Sequence, residues 1–174
     1  MTRSIVEQAH DFYDAVPYEV PVPEASLYEL LDTAARLYPD RVALDYFGST
    51  TTYAQVRDQV LRAARVLHEA GVRAGDTVAI ALPNCPQAFV AFYACMRIGA
   101  VAAQHNPLAP AQEIAGQLAR HGGRVAIVWE KCVDAYPLDA LDTVLTVDIS
   151  FAMPASQRFL LKLPVPRARQ MRAQ

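Results

Sequence analysis

Short apolar segments alternate with helical segments between residues 77 and 148. The segment Thr77–Leu82 is apolar almost throughout, which is typical of a strand buried on both faces of a sheet. Two stretches of helical length, Pro86–Ile98 and Pro110–His121, follow in turn, and glycine ends each of them. Strands that alternate with helices indicate βαβ units. We therefore predict an α/β fold with a mostly parallel sheet, helices on both faces, and strands at 77–82, 101–104, 124–129 and 143–148.

Two further helices are predicted before this alternation. Ser26 and Glu29 have the spacing of a capping box, in which two side chains satisfy free backbone N–H groups where a helix begins. Thr52 and Gln55 repeat that spacing. Apolar residues follow each pair at helical intervals, so a helix is predicted after each. Between the helices we expect a strand at 42–47 and a turn at 48–49.

The chain divides into three parts by composition. Residues 1–25 read as an N-terminal arm, 26–149 as the α/β subdomain, and 150–174 as a basic amphipathic tail. The tail has five basic residues and no acidic ones, which leaves 11 basic and 18 acidic residues, a net charge of −7, before it. Such asymmetry indicates a tail that either meets a membrane surface or docks on its own domain. The five basic residues are Arg158, Lys162, Arg167, Arg169 and Arg172.

The bulk properties exclude several classes of protein. A net charge of −2 argues against a nucleic-acid binder, which is usually strongly basic. Cys85, Cys95 and Cys132 have neither disulfide-framework nor zinc-site spacing, so we expect buried free thiols and no metal site. The first residues have no signal-peptide core, and no apolar run is long enough to cross a membrane. We therefore expect a cytoplasmic protein, with peripheral contact at the inner membrane face as an alternative.

A search for catalytic motifs finds candidates for binding only. No GxGxxG or GxxxxGK[ST] loop follows a strand, and no serine stands in a GxSxG elbow. Ligands of open α/β sheets bind beyond the carboxyl ends of the strands. Asn84, His105 and Asn106 follow two predicted strands and are our candidates for lining a cleft there, while the alternative is that both asparagines cap helices or fix turns. His68 and His121 lie near the ends of predicted helices, where the helix dipole favours a partly cationic imidazole.

Several ordered segments resemble one family. The stretch 26–56 is similar to the opening of adenylate-forming (AMP-binding) enzymes, and 71–84, GVRAGDTVAIALPN, resembles their next strand and its flanking turns. The segments 105–107 and 125–129, with the tail, look most like bacterial long-chain fatty-acid–CoA ligases. The individual positions that match family motifs are Pro39, Asp40, Ala43, Leu44, Thr52, Tyr53, Gly99, Ala100, Asn106, Pro107 and Glu113.

The resemblance implies an N-terminal subdomain of the acyl-CoA synthetase fold. Members of the family use ATP and magnesium to convert a fatty acid to an acyl-adenylate, and then transfer the acyl group to CoA. Their phosphate loop, nucleotide pocket and lysine-bearing C-terminal domain match nothing in this chain. We therefore expect a segment of a longer synthetase that binds no cofactor and is inactive alone.

Two other hypotheses stay open from the residues. One is a stand-alone interaction or membrane-surface module that acts through its basic tail, and the other is a flavodoxin-like nucleotide binder. Apolar surface left by missing neighbours would also favour a homodimer.

Overall fold

The computed structural model describes residues 24–162 and contains a parallel four-stranded sheet and a separate antiparallel hairpin. The helices among these residues are α1 (Leu27–Leu37), α2 (Tyr53–Glu69), α3 (Pro86–Ile98), α4 (Ala111–His121) and α5 (Ala155–Lys162). The strands are β1 (Val42–Tyr46), β2 (Ser49–Thr52), β3 (Thr77–Ala81), β4 (Val101–Gln104), β5 (Val125–Trp129) and β6 (Thr143–Val147). Short 3₁₀ turns cover Glu130–Ala135, Leu138–Ala140 and Ile149–Ala152.

The parallel sheet has the strand order β4-β3-β5-β6, and its central strands β3 and β5 are buried on both faces. Side chains alternate across it, because successive residues of a strand point to opposite faces. Val78 and Ile80 lie on the face that α2 and α3 cover. Ala79 and Ala81 lie on the face that α4 covers. The predicted α/β class with helices on both faces is confirmed.

The face covered by α2 and α3 carries an additional layer. Helix α1 packs on α2 and α3, where Val56 and Val60 are fully buried beside Leu31. The Arg57 guanidinium contacts the Asp32 carboxylate at 2.6 Å and joins α1 to α2. That guanidinium also lowers the pKa of Asp32. Helix α3 is therefore packed on two sides, as its nearly uniform apolar surface predicts.

The hairpin between α1 and α2 differs from the prediction. Residues 49–52 form β2, which pairs antiparallel with β1, so the turn lies at Phe47 and Gly48 rather than at 48–49. Both turn residues have positive φ, 54° and 83°, as the favoured two-residue hairpin turns require. Phenylalanine is unusual in this conformation, and the polar sequence of β2 lacks the alternation that marks a strand.

The two predicted capping boxes have different outcomes. The box at Thr52 and Gln55 is confirmed, with both side chains bonded to backbone N–H groups. The box at Ser26 and Glu29 is wrong, because the Glu29 N–H donates to the Ser26 carbonyl oxygen at 2.9 Å and no side-chain cap forms.

The cysteines are free, as the sequence predicts. Cys85 and Cys95 are buried, and Cys132 is half-buried. Burial raises the pKa of all three thiols, that of Cys95 to about 11. Each thiol is therefore protonated at neutral pH, and none has the depressed pKa of a reactive cysteine.

Candidate functional site

The candidate site is a cleft at the carboxyl ends of β3 and β4. After β3 the chain continues into α3 on one face of the sheet, and after β4 it continues into α4 on the other face. Neighbouring strands whose connections leave on opposite faces create a crevice between their carboxyl ends, which is where open α/β sheets bind ligands. The fold therefore places a cleft where the sequence predicts one.

The cleft has a volume of about 530 Å³ and is mainly apolar. The start of α3 contributes Phe89, Phe92 and Tyr93, and the hairpin contributes Tyr46. Phe89 and Tyr93 are in ring contact, with centroids 4.6 Å apart. Burial, and secondarily the neighbouring Cys85, raise the pKa of Tyr46, so its hydroxyl is neutral at physiological pH. The polar residues of the lining are Asp45, Asn84, Gln104 and His105.

The three predicted cleft residues occupy different environments. Asn84 is exposed and lines the cleft, and His105 lines it while being only 6% exposed. Asn106 is absent from the lining. Its side-chain oxygen accepts a hydrogen bond from the Leu108 N–H at 3.0 Å, which is the local turn that the alternative interpretation of this asparagine predicts.

The His105 imidazole is hydrogen-bonded to two residues distant in sequence. Its Nδ1 lies 3.2 Å from the Tyr136 hydroxyl, and its Nε2 lies 2.9 Å from Nε2 of His121. Nδ1 of His121 accepts a hydrogen bond from the Gly123 N–H at 3.0 Å. Sequence reasoning missed this chain of bonds, because the histidines are 16 residues apart and have no motif spacing.

Burial is the largest influence on the pKa of both histidines. It lowers the pKa of His105, and proximity to His121 lowers it further. It also lowers the pKa of His121, with a smaller contribution from Arg120 in the same direction. At the end of α4, burial therefore acts against the partly cationic imidazole that the sequence favours there.

The cleft is suited to binding rather than to acid–base or nucleophilic chemistry. The Asp45 carboxylate caps the hairpin turn by accepting from the Gly48 N–H at 2.9 Å. The Cys85 thiol stays protonated, and the His105 ring nitrogens are both engaged. Within residues 24–162, no group of three His, Cys, Asp or Glu side chains could hold a metal ion. The described cleft lining has a single carboxylate, that of Asp45, and it is already bonded in the hairpin turn.

The described part of the basic tail contacts the domain. In α5, the Gln157 side chain donates to the Phe47 carbonyl oxygen at 3.3 Å. The Arg158 guanidinium lies over the Phe151 ring, 4.9 Å from its centroid. Phe159 and Leu160 are exposed. Of the other predicted basic residues, Lys162 is described in its backbone alone, and Arg167, Arg169 and Arg172 lie outside the described residues.

No helix in the described part of the chain combines the length and apolarity needed to span a bilayer. The described part of the predicted amphipathic tail, residues 150–162, is divided between a 3₁₀ turn, Ile149–Ala152, and α5. Pro154 stands between them, where a proline is tolerated at the start of a helix.

Comparison with known proteins gives one consistent family. The family model for AMP-binding enzymes matches residues 31–165. A long-chain-fatty-acid–CoA ligase of Bacillus subtilis is 28% identical over 159 residues, which cover 88% of this chain and 28% of the relative. A 4-coumarate–CoA ligase of Oryza sativa is 37% identical over 120 residues, 62% of this chain and 21% of the relative.

A solved structure supports the same assignment. The fatty acyl CoA synthetase of Mycobacterium tuberculosis superimposes with a TM-score of 0.63 and 26% identity, covering 76% of this chain and 28% of that chain. The chain thus spans less than a third of the length of these relatives. Because the family model covers most of it, the chain belongs to the AMP-binding enzyme family and has the fold of an N-terminal subdomain of adenylate-forming enzymes.

Proposed function

We propose that this chain is the N-terminal part of an ATP-dependent long-chain fatty-acyl-CoA synthetase and is inactive alone. The observation that carries the proposal is the similarity to the Bacillus long-chain ligase, which extends over 88% of this chain. The rice 4-coumarate–CoA ligase matches 62% of the chain. Since that relative is named for a different acid, the long-chain fatty acid is the more specific part of the proposal. ATP, magnesium, a fatty acid and CoA would be substrates and cofactors of the intact enzyme.

The geometry of the described residues supports a scaffolding and binding role. The cleft between β3 and β4 is mainly apolar, with aromatic side chains along α3 and a few polar groups in its lining. Such a lining suits an apolar group with one polar end. Adenylation also needs groups that stabilise charge on transferring phosphates. The described cleft lining has no Lys or Arg, so we expect the missing groups to come from other parts of the enzyme.

The membrane-surface or interaction module is the second candidate function. It is favoured by α5, where Phe159 is 66% and Leu160 46% exposed, next to a basic residue. An amphipathic basic segment of this kind binds anionic lipid through apolar burial and charge together. The contact of Gln157 with Phe47 favours the docked alternative, in which the same segment packs on its own domain.

The coding DNA beyond codon 174 separates these two candidates. A synthetase predicts an in-frame segment with a Ser/Thr/Gly-rich phosphate loop. An immediate stop codon would favour the interaction module and count against the synthetase. The acyl preference is tested on the protein encoded by that longer frame, by ATP–pyrophosphate exchange with palmitate and with 4-coumarate. We expect faster exchange with palmitate, and a preference for 4-coumarate would overturn the long-chain assignment.

A further inference from the structure

The hydrogen bonds around His105 join three separate elements on the α4 side of the sheet. His105 directly follows β4, His121 ends α4, and Tyr136 follows the 3₁₀ turn after β5. The backbone N–H of His105 also donates to the Ile80 carbonyl oxygen at 2.9 Å, and this bond extends the pairing of β4 with β3. His105 and Tyr136 are 6% and 4% exposed, so little water is available to replace a lost partner.

One end of the chain of bonds fixes the proton positions on both histidines. The Gly123 backbone N–H is always a donor, so Nδ1 of His121 must lack a proton to accept from it. A neutral imidazole has one donor and one acceptor, so His121 is protonated on Nε2. It donates to Nε2 of His105, which leaves the His105 proton on Nδ1, directed at the Tyr136 oxygen. The hydrogen bonds admit this single arrangement.

An added proton breaks the arrangement wherever it binds. On Nδ1 of His121 it would face the Gly123 N–H, so that two donors oppose each other. On Nε2 of His105 it would face the proton already on His121. Moving the His121 proton from Nε2 to Nδ1 restores the hydrogen bond between the two imidazoles, but it breaks the bond that His121 accepts from the Gly123 N–H. The intact series of hydrogen bonds therefore requires both imidazoles to be neutral.

The surroundings of the pair also disfavour a cation. Burial is the largest influence on the pKa of His121 and lowers it; the His121 backbone raises this pKa, and Arg120 on α4 lowers it by a smaller amount. On the other side, burial and then Cys132 raise the pKa of Tyr136 to about 12, so the phenol supplies no negative charge. The described groups that affect either imidazole include no carboxylate.

Glycine at position 123 is needed for the hydrogen bond from its backbone N–H to the His121 imidazole. A Cβ atom there would lie 2.7 Å from the Thr77 carbonyl oxygen and 3.0 Å from the His121 ring. The first distance is too short for a side chain and the second is tight, so the backbone N–H reaches the imidazole because the residue has none. The close approach of Thr77 and His121 to residue 123 therefore depends on glycine at that position as well as on the hydrogen bonds.

We propose that His105, His121 and Tyr136 form a proton-sensitive latch, which holds the end of β4 and the adjoining wall of the cleft against α4 while both imidazoles are neutral. Uptake of one proton opens a hydrogen bond of the latch and frees His105, which lines the cleft. The latch stands on geometry within the described residues and does not depend on which acid the synthetase activates.

The latch predicts the direction in which pH changes stability. Folding lowers the pKa of both imidazoles below the ordinary value of 6.5, so the unfolded chain binds more protons in mild acid. Stability contributed by the pair is complete above about pH 6.5 and falls as the pH decreases toward the folded-state pKa values. For each proton taken up on unfolding, the equilibrium constant for folding decreases up to about tenfold for every unit by which the pH is lowered.

The test is urea unfolding of the 174-residue chain between about pH 7.5 and pH 5, followed by the fluorescence of Trp129, its single tryptophan. The variant His121→Gln removes one titrating group. The matched control is His68→Gln, which changes an exposed histidine in the last turn of α2. On acidification we expect the wild type and the control to lose stability in parallel. For His121→Gln, we expect the equilibrium constant for folding to decrease by up to about tenfold less per pH unit. Three parallel profiles would overturn the latch.

A spectroscopic measurement on the wild type makes the test independent of how the variants fold. Nitrogen-15 spectra of the histidine rings distinguish the two neutral tautomers. Near pH 7.5 we expect His121 to be protonated on Nε2 and His105 on Nδ1. Protonation of both rings on Nε2, or rapid exchange between tautomers at either ring, would also overturn the proposal.

Discussion

On one face of the parallel sheet, Val78, Ile80 and Leu82 pack against α2 and α3 in a wholly apolar cluster. On the other face, the strands present the small residues Ala79 and Ala81, and the paired histidines lie on that side with α4. The first face is held together by area buried from water, which depends little on pH. The second adds buried hydrogen bonds that hold in one protonation state. The difference predicts two kinds of mutational response within one domain.

The largest effect is expected on the apolar face. Leu67 on α2 is 1% exposed in the core cluster, so Leu67→Ala removes buried methyl groups and leaves a cavity. We expect a loss of about 2–5 kcal/mol in the free energy of unfolding, measured by urea denaturation. The loss should be equal at pH 7.5 and pH 5.5, because the cluster has no group that titrates between them.

The control for this substitution is Leu30→Ala on α1, where the side chain is 62% exposed. It should change stability by less than about 0.5 kcal/mol. A pH-dependent loss for Leu67→Ala would show that the two faces are not independent.

A smaller effect is expected on the α4 face from Tyr136→Phe. This substitution keeps the ring but leaves the His105 Nδ1–H without its acceptor, so we expect a loss of about 1–3 kcal/mol near neutral pH. Tyr38→Phe is the matched control, because Tyr38 is 49% exposed. Chemical denaturation of both variants at one pH measures the difference. Equal stability of the two would indicate that the Tyr136 hydroxyl contributes nothing to that face.

The smallest effect concerns how the helices of the apolar face begin. Thr52 caps α2 through its side chain, so Thr52→Ala should cost about 1 kcal/mol. Ser26 precedes α1 without a side-chain cap bond, so Ser26→Ala should leave the free energy of unfolding nearly unchanged. Thermal or urea unfolding of the two variants checks this. An equal loss for both would contradict the difference between the two helix starts.

The apolar face is the part of the fold that sequence predicts best. Its strands are continuous apolar runs and its helices have apolar residues at regular intervals, so local periodicity is sufficient. The cleft followed from the same reasoning, because strand ends can be located from the pattern. Strand β2 was missed because Ser49–Thr52 is polar and its pairing partner is defined by an unusual turn at Phe47.

The α4 face shows what local patterns cannot predict. His105, His121 and Tyr136 meet because β4, α4 and the 3₁₀ turn pack together, and no spacing in the sequence encodes that contact. The direction in which the His121 pKa shifts was missed for a related reason. The helix dipole is a local property that can be located in sequence, whereas burial depends on the whole fold.

We propose above that this chain is a scaffold with a binding cleft and needs other parts of its enzyme for adenylation. The most direct test is ATP–pyrophosphate exchange by the purified 174-residue chain with magnesium and long-chain fatty acids. Circular dichroism should first establish that the chain is folded. We expect no exchange above that of a protein-free control. Exchange that depends on both the fatty acid and the folded chain would contradict it.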